Sequence, residues 1–455
     1  MSVFCYGIMG AGAIANRFCK AVSLLPDCEV CAVASKSMSR ARDFANRNNI
    51  KRYYDSYEEM LETEELDCVY IAVTPNDHYR LTMMCIERKV PVLCEKAMFC
   101  NSMEAHNVFE LARKNNVFVM EALWSRFLPA VNKVKEWLES RKIGIPELSQ
   151  FSIGFVAGGG KEGRFFNPLL GGGAAKDITV YAYEITTYLL NQKIIKMNVS
   201  ATWNETGVDV NNHISIEFEH TLADLMTSFV TRMEERMVIY GRYGKIVLPF
   251  PHYASECFLY DEAGELREHF IDTETVDGFT YEISEVMKCI REGKMESAVV
   301  PWEITIACSE LFDKIEETEL VGETLYNMAI NAMLANEYKI ASEYLEVCLY
   351  IVKVLKRDSL RICNISKLTG LLTLCYYRMG KTYSCKMTLQ SSIQFLDYLF
   401  TIDVNSEIKD EFFHLWGDDL FLCHYNNALI MMDEERYEES LAEFQIAQKY
   451  IEKSP

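Results

Sequence analysis

Positive charge is what this 455-residue chain has least of. Its 46 lysines and arginines face 66 aspartates and glutamates, a net charge of −20. A basic nucleic-acid surface is therefore excluded as an organising feature, and anionic membranes are disfavoured. Long apolar runs are missing too: nothing approaches the ~18 consecutive residues of a spanning helix. No basic segment precedes the first apolar run, so a secretory leader is not expected and the cytoplasm is the expected location. The 16 cysteines have no framework spacing, which suits free thiols in a reducing compartment. Cys28-Glu-Val-Cys31 is the one CxxC. It falls on a predicted strand, where positions three apart face opposite ways, so no metal is expected. Proline is also scarce. None occurs between Pro301 and Pro455, which leaves that stretch free to be helical.

What is present begins at once. Val3 to Ile8 is an apolar strand, followed by Gly10-Ala11-Gly12-Ala13-Ile14-Ala15 and a helix to about Leu25. The pattern G-x-G-x-x-A between strand and helix is a dinucleotide-binding fingerprint. Gly10 allows the tight turn, and Gly12 lets a pyrophosphate approach. The helix N-terminus at Ala13 and Ile14 offers unpaired N–H groups to phosphate. The alternative is a plain glycine loop.

Glu29–Ala34 reads as a second strand ending in Ser35-Lys36-Ser37, with Arg40 following. An acid that would grip the ribose hydroxyls of NAD is missing there, and Lys36 and Arg40 suit a 2′-phosphate instead. NADP is expected over NAD; the alternative is that both are solvated surface charges. Further strands are expected at 67–73, closed by Thr74-Pro75-Asn76, at 91–94, ending in Glu95-Lys96-Ala97, and at 117–120. Helices alternate with them, which implies a doubly wound parallel sheet. Ligands bind such sheets at the carboxyl ends of the strands.

Beyond Leu123 the pattern changes. A helix over 124–141 precedes strand-like segments at 149–155, 196–203, 213–218, 224–230, 237–240, 245–248 and 257–260. Ile214, Ile216 and Phe218 alternate with polar residues, the period of a half-buried strand. An open, mostly antiparallel sheet in an α+β domain follows. A triple glycine, 171–173, leads into a helix from Asp177 to Leu190, which places Asp177 and Tyr181 on one helix face. Helices over 279–291 and 303–316 close the domain.

Five segments in order resemble one family: Gly7–Ala15, Ile71–Asn76, Leu93–Ala97, Met120–Pro129 and Gly171–Tyr181. It is the glucose–fructose oxidoreductase/inositol dehydrogenase (Gfo/Idh/MocA) family, in its dihydrodiol dehydrogenase and NADP-linked xylose dehydrogenase branch. The resemblance spans roughly 1–318. It implies a Rossmann domain (1–122), a substrate domain (123–318) whose sheet makes a homodimer, and hydride transfer to or from a secondary alcohol of a sugar, polyol or trans-dihydrodiol. It implies Lys96, Asp177 and Tyr181 as catalytic residues and Trp124, Arg126 and Phe155 as substrate contacts. Cofactor contacts are Gly10, Gly12, Ala13, Ile14, Ser35, Lys36, Arg40, Thr74, Pro75, Asn76, Glu95 and Lys96.

Oxidation would need Tyr181, with an ordinary pKa of about 10, to be made more acidic, and the Lys96 ammonium favours phenolate. Two departures stand out. The family proline after the lysine is Ala97, so a cis bond there is expected to relax to trans. The usual D-I-G-V-Y is Asp177-Ile-Thr-Val-Tyr181, preceded by the charge of Lys176. These departures sustain an alternative, an NADP-binding sensor weakened in catalysis that signals through its extension.

That extension, 319–455, is expected to be all helical hairpins. Ala341, Tyr344, Leu345, Cys348, Leu349 and Val352 trace one apolar stripe. Turns are expected near 336–338, 379–381 and 433–436. Their spacing of roughly 43 and 55 residues departs from the 34 of a tetratricopeptide repeat. The last hairpin resembles that repeat, and a protein partner is expected for the module.

Overall fold

The computed structural model describes residues 3–318, 329–354 and parts of 368–389 and 421–451. It divides into two units. One comprises residues 1–204 and 208–318, the other 205–207 and 319–455.

In the first unit β1 (Phe4–Met9) is apolar almost throughout because helices cover both of its faces. It continues through α1 (Ala13–Val22), β2 (Cys28–Ala34), α2 (Met38–Asn48), β3 (Arg52–Tyr54), α3 (Tyr57–Thr63), β4 (Cys68–Ile71), α4 (Pro75–Glu87), β5 (Val92–Cys94), α5 (Ser102–Asn115) and β6 (Val119–Glu121). All six strands are parallel, in the order β3-β2-β1-β4-β5-β6. Local chemistry starts the helices: Ser37, Ser56 and Asn101 accept backbone N–H groups three residues on. Asn49 and Asn116 take the left-handed conformation that ends α2 and α5. The edge strand β3 was not foreseen. Three residues are too few for alternation to register.

The helix expected over 124–141 is divided. A 3-10 turn at Trp124–Phe127 precedes α6 (Pro129–Glu139), because Pro129 has no N–H to continue a ladder and is suited to a helix's first turn. Eight strands follow: β7 (Pro146–Gly154), β8 (Ile194–Trp203), β9 (Asp209–Phe218), β10 (Leu222–Ser228), β11 (Arg236–Gly241), β12 (Gly244–Pro249), β13 (Glu256–Asp261) and β14 (Leu266–Ile271). Their order is β14-β13-β12-β11-β7-β10-β9-β8, antiparallel except for the β7–β10 pair. Strand β14 also escaped the sequence, since its edge position leaves four of its six residues exposed.

One face of this sheet buries Phe151, Ile153, Ile214, Ile216 and Leu225 in a core shared with α6 and α7 (Val180–Leu190). The other face exposes Leu148, Leu222 and Met226. After α8 (Phe279–Arg291), α9 (Trp302–Thr318) returns to the parallel sheet, where Trp302 stacks on Phe109 and donates to the Val119 carbonyl at 2.9 Å.

The second unit is helical where described, with α10 (Tyr338–Val354) and α11 (Tyr437–Ile451). Ala341, Leu345 and Leu349 of the expected stripe are buried, beside Leu368, Leu372 and Cys375. The side chains of Cys348 and Val352 lie outside the described residues. Left-handed residues turn the chain at Asn336, Gly380 and Glu435. No helix among the described residues is long and apolar enough to cross a membrane.

Candidate active site

The carboxyl ends of β1, β2, β4 and β5 open into a cleft of about 1520 Å³ whose opposite wall is the second sheet and the start of α7. Its floor begins at the glycine turn. Gly10 has φ +108°, and a Cβ there would stand 2.5 Å from the Ala72 carbonyl oxygen, so the turn excludes any side chain. Gly12 caps α1 without a side-chain hydrogen bond, and a Cβ built on it meets no atom within 4 Å. The turn thus presents free helix N–H groups to an open cradle, which fits a pyrophosphate.

Around this floor stand Ala13, Ile14, Ser35, Lys36, Arg40, Thr74, Pro75, Glu95 and Lys96. Asn76 does not line the cleft and is exposed on α4. Lys36 Nζ lies 2.5 Å from Asp77 Oδ2, and Arg80 lies 3.7 Å from the same carboxylate. Lys36 is therefore engaged by a carboxylate it shares with Arg80. Arg40 lines the cleft with no acidic partner among the described residues.

Lys96 ends β5. Its Nζ donates to the Asp177 backbone carbonyl at 2.7 Å and carboxylate at 3.1 Å, and lies 4.6 Å from the centre of the Tyr181 ring. Trp124 Nε1 donates to the Tyr181 hydroxyl at 3.1 Å. Asp177 sits in a π-helical segment, Ala175–Thr179, that leads into α7. Thr179 Oγ1 turns back to the Ala174 carbonyl at 3.2 Å and meets Thr227 at 2.7 Å. It points into the sheet rather than the cleft. Lys176 pairs with Glu316 at 3.1 Å.

The Lys96–Ala97 peptide is cis, against the expectation that alanine would relax it. Hydrogen bonds hold the segment on every side without a proline. Lys96 N–H reaches Glu95 at 3.3 Å, His78 Nδ1 lies 2.9 Å from the Ala97 carbonyl, and Met98 N–H reaches Glu121 at 2.9 Å.

Charge and burial compete here. Burial opposes the Lys96 ammonium, but Asp177, Tyr181 and Glu95 together hold its pKa above the usual lysine value. Burial likewise opposes the Asp177 carboxylate, and Lys96 with Arg164 outweighs it and holds the acid below its usual range. For Tyr181 burial wins. It pushes the phenol up to about 12 although Lys96 pulls it down. The expected lowering is therefore reversed, because a phenolate there would lose its water.

Phe155 and Trp124 line the cleft. Arg126 does not, and is buried beside α7. It donates to the Glu184 carboxylate at 2.8 Å, the Glu184 carbonyl at 2.8 Å and the Val299 carbonyl at 3.1 Å. Burial raises the Glu184 carboxyl to about 7, against the pull of Arg126. The sequence reading also missed His252. Its Nδ1 is hydrogen-bonded to Glu235 and its ring lies 5.0 Å from that of Tyr181. No spacing rule joins a residue after β12 to one in α7. Arg17 was missed too: it pairs with Asp277 at 3.2 Å and lies over Trp124 and Phe279 at 4.6 and 4.3 Å.

Residues 4–123 match the family model described as an oxidoreductase family with an NAD-binding Rossmann fold, and 131–247 match the Gfo/Idh/MocA C-terminal domain. The chain belongs to the Gfo/Idh/MocA oxidoreductase family. Among its relatives is the trans-1,2-dihydrobenzene-1,2-diol dehydrogenase of Mus musculus, 31% identical over 329 residues, which cover 70% of this chain and 97% of that one. The fold of this family member is similar to that of a 3-ketoreductase from Actinomadura kijaniata solved with NADP and TDP-benzene (TM-score 0.63, 19% identity, 70% of this chain and 98% of that one). It is similar also to levoglucosan dehydrogenase solved with NADH and levoglucosan (TM-score 0.63, 16% identity, 70% and 97%).

Proposed function

We propose that this Gfo/Idh/MocA protein is an NADP-dependent dehydrogenase interconverting a secondary alcohol and its ketone on a sugar, polyol or trans-dihydrodiol. The observation that carries the reading is the convergence of Lys96, Asp177, Tyr181 and Trp124 in the cleft that begins at the Gly10–Gly12 turn. When bound, the nicotinamide supplies the hydride or accepts it.

The chain's own residues handle the oxygen and its proton. Asp177 occupies two of the three donors of Lys96 and leaves the third for the substrate oxygen. An ammonium there stabilises the negative charge that oxygen develops in either direction. The Tyr181 oxygen accepts the Trp124 N–H, so its own proton is free to pass to a ketone oxygen as hydride arrives at carbon. With its pKa near 12 the phenol is protonated at neutral pH and serves reduction directly. Oxidation is the reverse: the phenol first gives its own proton to solvent, and the phenolate, stabilised by the Lys96 ammonium beside its ring, then takes the alcohol proton.

Aromatic walls from Trp124, Phe155 and Phe279, with polar groups from Arg164 and the His252–Glu235 pair, suit a ring that carries neighbouring hydroxyls. The name of the Mus musculus relative supports the diol class. Arg40, in the first turn of α2 and without an acidic partner among the described residues, supports NADP. The exposed Leu148, Leu222 and Met226 support pairing of two copies through the open sheet face. The helical second unit suits a protein partner, and the cytoplasm fits this assignment. Lys176 is held by Glu316 and Lys96 by Asp177, so neither departure from the family pattern favours a silent sensor.

The test is NADPH formation followed by absorbance over a panel of polyols, aldoses and trans-diols. Turnover on at least one member is expected. Tight NADPH binding with no turnover in either direction overturns the enzyme reading.

A further inference from the structure

We propose that Cys5, Glu29 and Cys31 bind one thiophilic divalent cation, zinc, at the amino-terminal rim of the parallel sheet. The two sulfurs and a carboxylate oxygen all lie within 4.8 Å of one another. Cys31 Sγ stands 3.7 Å from Glu29 Oε1. In a tetrahedral zinc site, bonds of about 2.3 Å to sulfur and 2.1 Å to oxygen put the ligand atoms about 3.5–3.8 Å apart. The three groups are thus close to the spacing a bound ion requires, before any adjustment of rotamers. No other three His, Cys, Asp or Glu side chains among the described residues come together in this way.

The strands explain the cluster. Cys5 of β1 faces Glu29 of β2, and the register then slips, with Tyr6 beside Val30 but Gly7 beside Ala32. Cys31 is the extra residue, and the bulge re-aims its side chain. The CxxC spacing is not the source of the site. Cys28 turns to the other face, toward the Val22 carbonyl.

Access and charge both suit a cation. Glu29 is exposed and Cys5 half-buried, so an ion can enter from solvent and keep water as its fourth ligand. The Asp67 carboxylate accepts the Cys5 N–H at 2.8 Å and adds negative charge. The guanidinium of Arg52 on β3 is already paired with Glu64 at 2.8 Å. Binding exchanges one proton from each thiol for the metal, and both protons pass to the buffer with no change of oxidation state. Two sulfurs and one carboxylate favour zinc over calcium or magnesium. The site lies roughly 17 Å along β1 from the glycine turn at Gly10, at about 3.3 Å per residue, so it stands apart from the proposed chemistry and does not depend on it.

The experiment uses the full chain, reduced and stripped with chelator. Cobalt(II) is titrated in while thiolate-to-metal charge-transfer absorbance is followed, and zinc is then added in competition. One equivalent of cobalt with a sulfur-bound spectrum, displaced by zinc, is expected. Cys5→Ser and Cys31→Ser should abolish that signal. Glu29→Gln, an exposed change that leaves the core untouched, should weaken binding at least tenfold, and Cys28→Ser should leave it intact. Cofactor quenching of intrinsic fluorescence, unchanged in all four variants, shows that each is folded. A cobalt spectrum that survives Cys5→Ser, or no sulfur-bound spectrum in the reduced wild type, overturns the site. So does a Cys5–Cys31 disulfide that forms in air while the reduced protein ignores both metals.

Discussion

Lys96 and Asp177 are joined twice, through the backbone carbonyl at 2.7 Å and the carboxylate at 3.1 Å. The backbone contact survives any change of side chain at 177, and that sets an order of severity. Lys96→Met should lower kcat/KM about a hundredfold or more, the loss of a charge aimed at the reacting oxygen. Asp177→Asn keeps the carbonyl contact and should lower it only about tenfold, near the ~1.4 kcal/mol of one weakened hydrogen bond. Both should bind cofactor within a few-fold of wild type. Steady-state kinetics with fluorescence titration checks the order, and an asparagine variant worse than the methionine one contradicts it.

Tyr181 should titrate late. A phenol whose folded pKa lies above its unfolded value stabilises the fold below the unfolded value and loses that contribution as pH rises through the folded one. For Tyr181 the window runs from 10 to about 12. Difference absorbance of phenolate, wild type against Tyr181→Phe, should isolate one tyrosine with a midpoint near 12, and Lys96→Met should move it higher. A midpoint below 10 would mean that Lys96 outweighs burial after all.

The two cations at the end of β2 should differ in their effect on cofactor choice. Lys36 is engaged by Asp77 at 2.5 Å, whereas Arg40 has no acidic partner among the described residues. Arg40→Ala should weaken NADP about tenfold or more, the scale of a charge-assisted contact, and hardly change NAD. Lys36→Ala should change NADP affinity less. Quenching titrations with both cofactors decide it, and equal losses for NAD and NADP in Arg40→Ala would remove the 2′-phosphate from the argument.

Much of this arrangement was legible in the residues, and what was not has physical causes. The Gly10–Gly12 turn, the ends of β4 and β5 and the helix carrying Asp177 and Tyr181 are local features, so periodicity and turn chemistry expose them. Lys96 beside Asp177 is a contact between domains that only the ordered motifs suggested. The pairing of His252 with Glu235, and their approach to Tyr181, depends on the register of an eight-stranded sheet, which no local pattern encodes. The sign of the Tyr181 shift was misjudged because the charge of Lys96 is visible in a sequence and the depth of burial is not. The Thr179 hydroxyl turns to the Ala174 carbonyl and Thr227 and away from the cleft, a direction the sequence leaves open.

Arg126 should matter for stability and not for substrate. It and Glu184 are both almost wholly buried, so removing one partner strands a charge or forces its neutralisation. Arg126→Met should destabilise the fold by about 3–5 kcal/mol, read as a lower denaturation midpoint. At a temperature where the variant is folded, KM should stay within a few-fold. A stable variant with a much raised KM would return Arg126 to the substrate.

Gly10→Ala and Gly12→Ala test the cradle by making one small change at two neighbouring positions. At Gly10 the backbone lies at φ +108° and the new methyl would press on the Ala72 carbonyl at 2.5 Å. That variant should lose stability, by about 1–3 kcal/mol for a strained backbone, and lose cofactor binding with it. At Gly12 the backbone is extended, φ −95°, and the methyl meets nothing within 4 Å. Its denaturation midpoint should match wild type. The methyl would nevertheless stand where a pyrophosphate must approach the helix N-terminus, so NADP affinity should fall at least tenfold. The pair separates a binding cradle from a merely structural turn. If Gly12→Ala binds both cofactors as well as wild type does, the open space beside Gly12 is not where the phosphates lie, and the cofactor must enter this cleft in another pose.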